Sequence, residues 1–100
     1  MKAEEFWKIF ENELKPNLYS YAPIFINKPV GGDGGFFLAG LFKNDKGVWC
    51  IEETQERSNH PYHDEFLSEE DAVKRFFNKV VLMVKKELRS EIEEKYKEYL

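Results

Sequence analysis

The sequence predicts an α+β fold: an N-terminal helix, a three-stranded antiparallel meander, and a long C-terminal helix packed on one face of the sheet. Three observations carry this. Apolar residues recur at three- and four-residue spacing near both ends of the chain, over residues 3–14 and 68–100. Between them, β-prone runs at 18–27, 36–43 and 48–56 are separated by Gly-rich and Asn/Asp-rich segments. The length of 100 residues suits a single domain spanning 1–100, and 16% aromatic content fills its core without disulfide or metal staples.

The first helix places Ala3, Phe6, Trp7, Phe10 and Leu14 on one face. Glu4 and Glu5 lie in its first turn, where the helix dipole favours negative charge, and Pro16 ends it. Residues 18–27 alternate and then continue as Ile24-Phe25-Ile26; Pro23 cannot donate to a ladder, so this strand is expected at an edge or bulge. The run Gly31-Gly32-Asp33-Gly34-Gly35 is expected to be a loop. Strands 36–43 and 48–56 form a hairpin around Asn44-Asp45-Lys46-Gly47, residues suited to a tight turn. In the second of these, Trp49, Ile51 and Glu53 face one way and Val48, Cys50 and Glu52 the other.

Residues 57–67 have no period and are expected to be an exposed loop. Ser68 with Asp71 opens the next helix in an approximate capping box. Val73, Phe76, Phe77, Val80, Val84 and Leu88 form its inner stripe, widened by Val81, Leu82 and Met83. A second box, Ser90 with Glu93, permits a break near Ser90, yet Leu88, Ile92, Tyr96 and Tyr99 keep the helical spacing across it. One helix and two are equally compatible with the pattern.

The charge is unevenly placed. Residues 1–49 are neutral, 50–72 carry eight acids against Arg57 alone, and 73–100 carry a net +3. Glu69, Glu70 and Asp71 are accounted for by the start of a helix. The remaining carboxylates are expected to form an acidic surface, which repels nucleic acid and attracts a basic protein. No apolar run is long enough to span a membrane. Acidic residues interrupt the apolar N-terminal segment, unlike a secretory signal, so the expectation is a cytoplasmic protein.

Chemistry-bearing constellations are sparse. His60, His63, Asp64 and Glu65 lie close in sequence, but H-x-x-H-D-E is no recognised ligand spacing and there is one cysteine, Cys50. The reading is no metal, no cofactor and no catalytic set. Cys50 lies mid-strand, where a free cysteine behaves as a small hydrophobe. The glycine run lacks the Lys-Ser/Thr of a phosphate loop. Tyr62 between the two histidines points to a contact loop instead.

A strand ending in acids and Arg (VWCIEETQER), an irregular loop, then FLSEEDAVKRFF resembles small bacterial immunity proteins that neutralise polymorphic or contact-dependent toxins. In this chain Ser58 follows Glu56-Arg57 where many of those families have Gly. The resemblance implies a cytoplasmic, non-enzymatic protein that binds and blocks one toxin domain, with a basic toxin suiting an acidic surface. Glu52, Glu53, Glu56, Asp64 and Glu65 are the expected charge partners, and His60, Tyr62 and His63 the expected contact residues. The alternative is a structural or adaptor domain that forms a homodimer through its C-terminal helix, with Tyr96, Tyr99 and Leu100 exposed.

Overall fold

The computed structural model describes residues 1–18, 24–26, 38–54 and 62–100, without the side chains of 24–26, 38, 54 and 62. The chain is α+β. It forms two compact units, a helical one from residues 1–22 and 69–100 and a sheet unit from 23–68.

In the helical unit, α1 (Ala3–Ile9) runs into a wider π turn at Phe10–Leu14 and a 3₁₀ turn at Lys15–Asn17. The inward residues Phe6, Phe10 and Leu14 explain the widening. A four-residue step in an α-helix overshoots one turn by about 40°. The wider turn undershoots and brings Leu14 back into line, so that all three are buried. Lys15 N–H accordingly bonds the Phe10 carbonyl. The start of α1 is capped from elsewhere in the chain. Ala3 N–H donates to Glu69 Oε2 at 2.7 Å, and Lys2 pairs with Glu70 at 3.0 Å. Glu69 and Glu70 also lie in the first turn of α2 (Glu69–Val81), so these acids serve two helix N-termini.

The core of this unit is aromatic. Phe6 meets Phe76 edge-on at 5.7 Å between ring centroids and Phe77 at 5.2 Å, and Phe77 packs on Tyr96. Val73, Phe76, Phe77, Val80 and Val84 are buried, as the stripe requires.

The C-terminal helix is two helices, and the break lies at 82–85 instead of Ser90. Ser90 sits inside α3 (Lys86–Lys95). No Gly or Pro marks the break; long-range hydrogen bonds hold it. Leu18 forms an isolated bridge with Val84, and Lys85 N–H donates to the Asn17 carbonyl at 2.8 Å. Arg89 Nη2 donates to the carbonyls of Leu82 and Val84, capping the end of α2 with a cation. Leu82, expected to widen the inner stripe, is exposed because it falls in this break.

Tyr96 corrects another expectation. It is 8% exposed and donates its hydroxyl to Glu13, so it cannot belong to a surface dimerisation set. Lys95 Nζ reaches the other oxygen of Glu13 at 2.6 Å. A closing 3₁₀ turn (Lys97–Tyr99) leaves Tyr99 exposed.

The sheet unit has four strands in the order β1 (Ile24–Ile26), β2 (Leu38–Lys43), β3 (Trp49–Thr54), β4 (Tyr62–Phe66). The antiparallel set is β2-β3-β4, and β1 pairs parallel to β2, so the first expected strand does not belong to the meander. The expected loop at 57–67 contains β4, whose alternate charged residues suit an edge strand. Tyr19–Pro23 and Gly31–Gly35 lie outside the described residues. The β2–β3 turn is as expected. Asn44 Oδ1 accepts from Lys46 N–H and Val48 N–H at 2.9 Å each, and Gly47 takes φ +80°. Among the described residues, no helix is long and apolar enough to cross a membrane.

Two measurements check the helical unit. The Lys95 and Tyr96 bonds hold the Glu13 carboxyl below its ordinary value of 4.5. A lowered folded value contributes stability above the unfolded value and loses it as pH falls through the folded one. Glu13→Gln should therefore cost about 1 kcal/mol at neutral pH after allowance for solvent screening. In paired urea titrations the difference from the parent chain should shrink below about pH 4.5. Arg89→Ala should cost about 1–2 kcal/mol in the same assay, since the unpaired buried Nε offsets part of its two bonds.

Candidate functional site

The side chains expected to form one acidic surface are divided by the pleat of β3 and β4. Antiparallel pairing sets Cys50 opposite Glu65 and Glu52 opposite His63, so these four share one face with Gly40 and Phe42 of β2. The other face carries Trp49 opposite Phe66, Ile51 opposite Asp64, and Glu53 opposite Tyr62. Successive residues of a strand point to opposite faces, so Glu52 and Glu65 cannot act with Glu53 and Asp64 as one patch.

Burial separates them further. Glu53 is only 7% exposed, on the same face as the buried Ala39, Leu41 and Ile51. Asp64 is half-buried and turns back to accept the Glu65 N–H at 2.9 Å. Glu69 and Glu70 are engaged by Ala3 and Lys2. Glu56 and His60 lie outside the described residues, as does the side chain of Tyr62. Of the expected contact set, the structure therefore brings together Glu52, His63 and Glu65.

These three are joined. His63 Nδ1 lies 3.0 Å from Glu52 Oε2, and Nε2 lies 3.4 Å from Glu65 Oε2. The Glu52 hydrogen bond, opposed by partial desolvation and aided by Glu65, raises the imidazole above its ordinary value. The same carboxylates also raise the thiol, which for a cysteine disfavours the charged form. Burial, then Glu65 and Glu52, push Cys50 above the ordinary thiol value, against a lowering contact from Asn44. Its Sγ–H donates to the Val48 carbonyl at 3.4 Å. A thiol kept protonated and buried beside two carboxylates is the reverse of an activated nucleophile, which needs a positive neighbour and an open face.

Where β3 and β4 meet the β2–β3 turn, a groove of about 330 Å³ is lined by Gly47, Val48, Trp49, Glu65, Phe66 and Leu67. Trp49 and Phe66 are half-buried cross-strand neighbours, and Leu67 is fully exposed. Sequence reasoning missed these anchors because residues 57–67 lack a period. The Phe66-Leu67 pair ahead of Ser68, together with Val48-Trp49 beside the turn, was the available signal.

Comparison with protein-family models, curated proteins and solved structures finds no match to this chain. Its chemistry is read from its own residues.

The thiol assignment has a direct check. At neutral pH, Cys50 in the native protein should react with a disulfide reagent at least about tenfold more slowly than in the urea-unfolded chain. Equal rates would mean that the thiol is open.

Proposed function

We propose that this chain is a non-enzymatic protein-binding module of the immunity-protein kind, which captures a basic toxin domain on the groove at the end of β3 and β4 and blocks it in the cytoplasm. One observation carries the reading: a solvent-facing apolar groove with Trp49 and Phe66 in its walls, a wholly exposed Leu67, and Glu65 among its lining residues. Water gains nothing from such an arrangement, whereas interfaces place aromatic anchors in a pocket ringed by polar groups.

Charge complementarity selects the partner. Glu65 is the exposed carboxylate among the residues that line the groove. A partner offering an apolar side chain flanked by Arg or Lys meets both features. The groove takes the larger share of the affinity, because a rim carboxylate already shared with His63 contributes mainly to association rate. The sequence resemblance to immunity proteins supports the same class of partner.

The test uses the toxin domain encoded by the gene immediately upstream as the bait, in a titration by calorimetry. A complex is expected, and Trp49→Ala and Leu67→Glu should each weaken it by about 2 kcal/mol or more. Tyr99→Ala, on the helical unit, should leave it unchanged. No complex, or one that ignores both groove substitutions, contradicts the reading. Leu67 is fully exposed, so its variant keeps the test valid if Trp49→Ala unfolds.

A further inference from the structure

The cluster on the other face of β3 and β4 goes beyond that binding role. Cys50 Sγ, a nitrogen of His63 and a carboxylate oxygen of Glu65 lie within 4.8 Å of one another. These are three different donor types, two of them nitrogen and sulfur. That set is unsuited to Mg²⁺ or Ca²⁺, which take oxygen ligands, and suited to a borderline ion such as Zn²⁺ or Co²⁺.

We infer that Cys50, His63 and Glu65 form a site for a single Zn²⁺-type divalent ion, with Glu52 as the group that orients the imidazole. The geometry points to it in three ways. First, the strand register itself converges the donors: Cys50 is opposite Glu65, and His63 is two residues before Glu65 on the same face of β4. Second, Glu52 bonds His63 Nδ1 at 3.0 Å, leaving Nε2 turned to Glu65 at 3.4 Å. A carboxylate on one ring nitrogen, fixing the other toward a metal, is the usual outer-shell arrangement of zinc-binding histidines. With Nδ1 held by Glu52, Nε2 is the ring nitrogen placed to bind a metal, in exchange for its contact with Glu65. Third, the spacing is close to what is needed. Zinc bonds of about 2.0–2.3 Å in tetrahedral geometry separate ligand atoms by roughly 3.3–3.8 Å. The remaining ångström or so is within the reach of the exposed His63 and Glu65 side chains, which close onto the buried, fixed sulfur.

Three protein ligands leave a fourth position toward solvent for water. Bound there, the ion ties the five-residue edge strand β4 to β3 through side chains as well as the ladder. The sequence could not show this. H-x-x-H-D-E draws attention to His60 and Asp64, whereas the strands select His63 and Glu65 and add Cys50 from another strand.

Titration of the chelator-stripped full chain with Co²⁺ tests the site by absorption spectroscopy. One equivalent should bind, with a near-ultraviolet thiolate band and tetrahedral visible bands, and Zn²⁺ should displace it. Cys50→Ser should abolish the thiolate band. Glu65→Gln should weaken binding by about tenfold or more while keeping that band, and Glu52→Gln by roughly tenfold through loss of orientation. Asp64→Asn, on the opposite face of β4, should change nothing. Far-UV dichroism confirms that each variant is folded; if Cys50→Ser is not, the exposed-site variants Glu65→Gln and His63→Ala decide. Absence of saturable binding, binding unchanged in Glu65→Gln and His63→Ala, or loss in Asp64→Asn alone overturns the site.

Discussion

The register of β3 against β4 is the constraint on which the functional reading depends. Side chains alternate with a period of two, so a slip by one residue would send every group on β4 to the opposite face. In the observed register, Glu52 meets His63 and Cys50 meets Glu65, while Trp49 meets Phe66. One pairing thus sets both the mixed-donor cluster and the aromatic wall of the groove. It also explains why the described acids of this segment do not make one acidic surface: neighbouring carboxylates on a strand diverge, and Glu69 and Glu70 are drawn into helix capping.

Physical economy of another kind governs the helical unit. Its core is a run of tilted and edge-on aromatic rings, and polar groups with distant partners close its irregular points. Glu69 caps α1 from a different helix, Glu13 ties the π turn to α3 through Lys95 and Tyr96, and Arg89 caps α2. Each of these supplies partners for groups that would otherwise be left at a helix end or beside the core.

The elements with a strong apolar period were legible in the sequence. The Phe6/Phe10/Leu14 face, the Val73-to-Val84 stripe and the Asn44–Gly47 turn all lie where residue spacing and turn chemistry put them. What escaped the sequence is set by tertiary partners. Nothing local distinguishes a β1 that pairs parallel from one that pairs antiparallel. β4 carries charge on both faces, so it is held by its ladder and not by a buried row. The α2–α3 break has no Gly or Pro and depends on Asn17, Leu18 and Arg89. The candidate site follows the same rule. Glu52, His63 and Glu65 were named from composition, but their association with Cys50 and their separation from Glu53 and Asp64 require strand pairing. Leu67 and Phe66 were hidden inside an apparently featureless segment.

The register can be measured without any ligand, because Cys50 is the single cysteine of the chain. Directly opposed strand residues have Cα atoms about 4.5–5.5 Å apart, within the span of a disulfide. In single variants Glu65→Cys and Asp64→Cys, mild oxidation followed by mass spectrometry of the monomer should show an internal disulfide to Cys50 in the first and a free thiol pair in the second. The opposite pattern, or crosslinking of neither, would contradict the β3–β4 pairing and with it the geometry of both the cluster and the groove.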